Sequence, residues 1–192
     1  MLNIVLFGPP GAGKGTQSDK LIDQFDLTHL STGDVFRFNM KNETELGQLA
    51  KSYIDKGALV PDEVTVNMVA DFLDRNKEAQ GFIFDGFPRT IAQGEALDRM
   101  LTERQMKVDL MLALEVDEDE LVRRLLERGK TSGRKDDQDE GTIRNRLNVY
   151  HSETAPLARF YSDQDKYVAV HGMGSIEEIF ERLCAAVEMK RA

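Results

Sequence analysis

The tightest constraint on this chain is the run Gly8-Pro9-Pro10-Gly11-Ala12-Gly13-Lys14-Gly15-Thr16, set directly behind the short, mainly apolar stretch Leu2–Phe7. Small residues let backbone N–H groups converge on phosphate oxygens, the start of the following helix adds positive potential, and Lys14 brings a movable charge. Such a loop belongs between a strand and a helix. Leu21, Ile22 and Phe25, at helical spacing, supply that helix. One position departs from the common pattern: Gly15 stands where Ser or Thr is usual, and the hydroxyl comes one residue later, at Thr16.

Similar apolar runs recur at Gly81–Asp85, Asp109–Val116 and Lys166–Val170, each with a helix-patterned segment behind it. Alternating strands and helices imply a doubly wound α/β fold, with ligands at the carboxyl ends of parallel strands. Helix starts are marked by Asp62, Thr90, Asp117 and Ser175, the last with Glu178 three residues on, as in a capping box. Residues 31–60 read as all-helical with no strand, and residues 129–141 as a polar Gly/Ser/Asp-rich loop. Both are expected to be mobile insertions over the active face.

A length of 192 residues suits one domain, and 41% hydrophobic with 31% charged residues is a globular balance. Met1 leads into an apolar run too short for a secretory signal core, so a cytoplasmic chain without a membrane span is expected. The lone cysteine, Cys184, can form neither an internal disulfide nor a Cys-rich zinc site. A net charge of -9 argues against nucleic acid or an anionic membrane as partner. Yet six of the fourteen arginines (Arg123, Arg124, Arg128, Arg134, Arg144 and Arg146) crowd into 24 residues, which suggests a local trap for a small, highly charged anion.

Asp85 closes an apolar strand, the position from which phosphate-loop proteins hold magnesium through water, and Gly86-Phe87-Pro88-Arg89 puts an arginine at the same sheet edge. His29, His151 and His171 read as structural or surface residues.

With these pieces in place, the chain closely resembles the adenylate kinase family, in its short-lid form. The resemblance rests on GPPGAGKGT, STGD at Ser31–Asp34 with Arg37, GALVPDEVT at Gly57–Thr65, DGFPRT at Asp85–Thr90 with Gln93, RLLERGKTSGR at Arg124–Arg134 and YHSETAPL at Tyr150–Leu157. It implies a single domain over residues 1–192 with a five-stranded parallel sheet, an AMP-binding insertion at 31–60 and a short lid at 127–139.

It further implies ATP at Gly11, Ala12, Gly13, Lys14, Gly15, Thr16, Arg124, Arg128 and Gly174. AMP is implied at Thr32, Arg37, Ala58, Leu59, Val60, Gly86, Phe87, Pro88, Arg89, Gln93, Arg134 and Arg146. Lys14, Arg89, Arg128, Arg134 and Arg146 would be catalytic, Asp85 would serve Mg2+, no structural zinc is expected, and a monomer is. Gln93 would read the adenine edge, since an amide can donate and accept at once.

The reaction so implied is reversible, Mg-dependent transfer of a phosphoryl group from ATP to AMP, giving two ADP. An AMP phosphate is already an anion, so the task is neutralising and aligning two polyanions rather than removing a proton. Arg123 and Arg144 read instead as partners of neighbouring acidic residues on solvated helix faces. Two rivals stand beside this reading. A UMP/CMP kinase on the same scaffold is opposed by Thr32 with Gln93, and a non-catalytic ATP-binding module by the full set Lys14, Asp85, Arg89, Arg128 and Arg134.

Overall fold

The computed structural model describes residues 1–191. In chain order the elements are β1 (Leu2–Phe7), α1 (Lys14–Phe25), β2 (Thr28–Ser31), α2 (Thr32–Lys41), α3 (Glu45–Ile54), α4 (Asp62–Arg75), β3 (Gly81–Asp85) and α5 (Ile91–Glu103). There follow β4 (Leu110–Glu115), α6 (Glu118–Ser132), a 3-10 turn at Lys135–Asp137, α7 (Glu140–Val149), a π-helical turn at Tyr150–Thr154, α8 (Leu157–Ser162), β5 (Tyr167–His171) and α9 (Ile176–Arg191). The strands form one parallel sheet in the order β2-β3-β1-β4-β5. The doubly wound, five-stranded reading of the sequence therefore holds.

Period-two alternation divides the core into two layers. Ile4 and Leu6 of β1 face Leu21, Leu125, Leu147 and Leu183, from α1, α6, α7 and α9. Val5 and Phe7 face the opposite way, with Val69, Leu97 and Tyr161 of α4, α5 and α8. Because β1 is central and its chain neighbours in the sheet lie on opposite sides, the loop after β1 opens at the point where strand order reverses.

Several local expectations changed. β2, with sequence Thr-His-Leu-Ser, is too short and polar to read as a strand, and Ser31 both closes it and caps α2, its hydroxyl accepting the Asp34 N–H. It is a strand because it pairs along its whole length with β3. The rest of the 31–60 segment is helical at Thr32–Lys41 and Glu45–Ile54, runs on as turn and irregular chain over residues 55–60, and packs around its own small core of Phe36, Ala50 and Val60. The segment expected to be a polar loop from Gly129 is largely ordered: α6 continues to Ser132, and the 3-10 turn buries Asp136 and Asp137.

Capping followed the sequence at Thr90, whose hydroxyl accepts the Gln93 N–H, and at Ser175, which exchanges bonds with Glu178 as a capping box. It did not at Asp62, which lies inside α4 behind Pro61 and turns its carboxylate elsewhere, nor at Asp117, whose side chain makes no capping bond.

Candidate active site

A cleft of about 530 Å³ opens at the carboxyl ends of β1, β2 and β3 and is walled by α2, the 54–60 segment, α6 and α7. Its floor is the loop between β1 and α1. Gly8, Gly11 and Gly13 have positive φ there, a conformation that side chains strain to adopt, and this brings the backbone around the Lys14 ammonium. Lys14 Nζ donates to Gly8 O at 2.8 Å and to Pro9 O at 3.0 Å. Burial lowers its pKa to about 8, with Arg89, Arg146 and Arg128 pushing the same way and Asp85 opposing.

Opposite Lys14, the Gly86 carbonyl accepts from Arg89 Nε at 2.7 Å and from the Thr32 hydroxyl at 2.8 Å. Burial brings the Arg89 pKa down to about 10, aided by the charge of Arg146 and opposed by Asp85. The Thr154 hydroxyl donates to the Arg89 backbone carbonyl at 2.7 Å, so the π-helical turn helps seat this arginine.

The α6–α7 wall is built differently. Asp137, with no exposed surface, receives Arg128 through two bonds, Nε to Oδ2 at 2.6 Å and Nη2 to Oδ1 at 3.0 Å, and receives Arg146 Nη1 at 2.5 Å. Asp136 adds an ion pair to Arg146 at 3.0 Å. Burial works against the Asp137 charge, but the Arg128 hydrogen bond and the charges of Arg128 and Arg146 outweigh it and hold its carboxyl below the usual range. The turn can come this close because Gly129 faces the Asp137 carbonyl, where a β-carbon would collide.

Arg134 reaches across the cleft mouth to within 3.9 Å of Asp34, whose carboxylate already accepts from Arg37 at 2.5 Å. Arg124 pairs with Glu120 at 2.7 Å and lies against the Gly172 carbonyl and the Met173 sulfur. Arg123 and Arg144 bind Glu120 and Glu140 on exposed helix faces, the bland reading given to them.

Among the predicted residues, Gly11, Gly13, Lys14, Gly15, Thr16, Thr32, Arg37, Ala58, Leu59, Val60, Asp85, Gly86, Pro88, Arg89, Gln93, Arg124, Arg128, Arg134 and Arg146 line this one cleft. Three do not. Ala12 and Phe87 point their side chains into the two core layers, and Gly174 lies outside the lining, beyond the 172–173 loop that Arg124 touches. The sequence reading missed Asp136 and Asp137, and also Tyr150 and Thr154, quoted in a motif without a role. A signal for the first pair existed: Arg128 and Arg146 each stand nine residues from Asp137.

The adenylate kinase family model matches residues 6–166. Proteins named adenylate kinase are similar to the chain along nearly its whole length. That of Flavobacterium psychrophilum is 58% identical over 187 residues, 97% of this chain and 98% of that protein. That of Parabacteroides distasonis is 60% identical over the same coverage, and that of Porphyromonas gingivalis is 49% identical over 191 residues, 100% of this chain and 98% of its own. A cationic cleft at the switch point of a parallel sheet and kinship of this extent lead to one conclusion: the chain belongs to the adenylate kinase family of nucleoside monophosphate kinases.

Proposed function

We propose that the cleft takes ATP over the β1–α1 loop and AMP between α2, the 58–60 backbone and Gln93, and passes the terminal phosphoryl group between them to give two ADP. The observation that carries this is the meeting of Lys14, Arg89, Arg128, Arg134 and Arg146, from four separate parts of the chain, around one hollow. Cations on all sides of a phosphoryl path offset the repulsion of two polyanions and stabilise charge as it spreads over the transferring oxygens. No general base is called for, since the attacking phosphate oxygen carries no proton that must leave.

Magnesium fits the donors available. Asp85 and the Thr16 hydroxyl both line the cleft, and both offer hard oxygen to a cation that prefers oxygen and keeps several waters. Among the described residues no three His, Cys, Asp or Glu side chains gather into a metal cluster, so phosphate oxygens and water would complete the shell. Bound there, the ion would neutralise charge on the phosphates, while Asp85 and Thr16 hold it beside Lys14.

Among the described residues no helix is long and apolar enough to cross a membrane. This suits an enzyme working on free nucleotides in the cytoplasm, for which a single copy contains every residue invoked here.

The test is a coupled assay of ADP formation across AMP, CMP, UMP, GMP and dTMP with ATP and Mg2+. AMP should lead CMP and UMP by about 100-fold or more in kcat/KM, and a two-headed adenosine polyphosphate that spans both sites should inhibit. Equal use of UMP or CMP would move the chain to another branch. Tight ATP binding without ADP formation would make it a binding module.

A further inference from the structure

Gln93 sits within a run of hydrogen bonds whose direction is set at both ends. Its side-chain oxygen accepts the Arg89 backbone N–H at 2.7 Å, and its side-chain nitrogen donates to Asp62 Oδ1 at 2.8 Å. The Thr90 hydroxyl donates to the same carboxylate, 3.1 Å from each oxygen, while its own oxygen accepts the Gln93 backbone N–H at 3.2 Å. A backbone N–H can only donate and a carboxylate can only accept. Turned over, the Gln93 amide would set NH2 against the Arg89 N–H and oxygen against Asp62. Gln93 is only 2% exposed, so little water could repair either clash.

We propose that Asp62, opposite the Arg89 N–H, locks the Gln93 amide in one orientation and so makes the acceptor site reject 6-oxopurine nucleotides. This rests on the reading that Gln93 faces the acceptor base. With one lone pair and one N–H already engaged, the amide keeps one of each for a ligand. A 6-aminopurine presents an amino donor beside the ring acceptor N1, which matches. A 6-oxopurine presents a carbonyl acceptor beside an N1–H donor, the reverse pattern, which only the turned-over amide could meet. Asp62 lies outside the cleft lining and acts through Gln93, so it is a positioning residue. Cytosine carries an amino donor beside a ring acceptor, so the lock does not exclude it, and a smaller ring in a purine-sized site must.

Inosine monophosphate is the probe, because it differs from AMP only at the 6-position and the N1 proton. Asp62→Asn offers Gln93 either a donor or an acceptor and so removes one end of the lock, leaving only the Arg89 N–H to oppose the turned-over amide. It should lower the AMP-over-IMP ratio of kcat/KM at least about tenfold and leave the AMP-over-CMP ratio unmoved. Asp62→Ala should shift the ratio in the same direction, and if either variant does not fold the other decides. AMP and IMP falling by one common factor in the Asp62 variants would make the contact merely structural and overturn the proposal. Gln93→Leu should erase the AMP-over-IMP preference. Persistence of that preference would sink the reading of Gln93 and the lock together, whereas its loss in Gln93→Leu but not in the Asp62 variants would sink the lock alone.

Discussion

Lys14 and Arg89, on the sheet side of the cleft, are held by backbone carbonyls, whereas Arg128 and Arg146, on the α6–α7 side, are held by a buried carboxylate. The difference is one of charge balance. Carbonyl dipoles orient a cation without cancelling it, so the sheet side keeps its positive charge under partial burial, and both pKa values fall. An entering phosphate relieves that cost directly. On the other side Asp136 and Asp137 have already supplied countercharge, so the arginines are aimed before any nucleotide arrives but have less unbalanced charge to give. The sheet side is built for affinity and charge stabilisation, the α6–α7 side for alignment.

The largest effect should come from breaking the carbonyl-held pair. Lys14→Met or Arg89→Ala should lower kcat by about 100- to 1,000-fold while circular dichroism and melting show an intact fold. Near-normal turnover in either variant would contradict the roles given to this wall.

Removing the countercharge on the other wall should act on two properties at once. Asp137→Ala leaves Arg128 and Arg146 without their shared acceptor. It should destabilise the protein by roughly 2–4 kcal/mol, a little less than loss of one member of a fully buried pair because Arg128 is partly exposed, and cost about tenfold in kcat/KM through lost alignment. Chemical denaturation beside steady-state kinetics would measure both, and loss of stability without loss of activity would separate alignment from folding.

A smaller, pH-dependent effect follows from Lys14. Its folded pKa of about 8 lies below the ordinary 10.5, so between these values the unfolded chain holds the extra proton and stability rises with pH. The ammonium needed by phosphate is lost in that same window. ATP affinity of the free enzyme, followed by calorimetry, should therefore weaken above about pH 8, and Lys14→Arg should move that limb to higher pH. A flat profile through pH 9 would show that the carbonyl-held wall is better balanced than its geometry suggests.

Smallest of all is the solvated control. Arg144→Ala removes an exposed i,i+4 pair with Glu140 and should change stability by no more than about 0.5 kcal/mol, with activity unaltered.

The parts of the molecule legible in the sequence were those governed by near neighbours in the chain. The β1–loop–α1 unit follows from an apolar run, a cluster of glycines and a helical repeat, all within 25 residues, and Thr90 and Ser175 announce their helices by bonding three residues on. The arginines of the cleft were likewise visible, by residue type and position in motifs. β2 was not, because Thr28–Ser31 has too little apolar character to declare itself and becomes a strand only by pairing with residues 82–85. Asp62 has the sequence marks of a cap, yet partners 28 and 31 residues away satisfy it better than its own helix could. Asp136 and Asp137 look like surface acids until two arginines on different helices arrive to compensate them.

The sequence by itself thus determined the strands β1, β3, β4 and β5 with a helix behind each, the phosphate loop and the stock of cations, because hydrophobic period, backbone freedom and side-chain charge act locally. Only the tertiary structure decided which carboxylates stay buried, which way the Gln93 amide turns and which cations remain uncompensated. Those outcomes depend on burial and on donors brought together across the fold, and no stretch of chain carries that information alone.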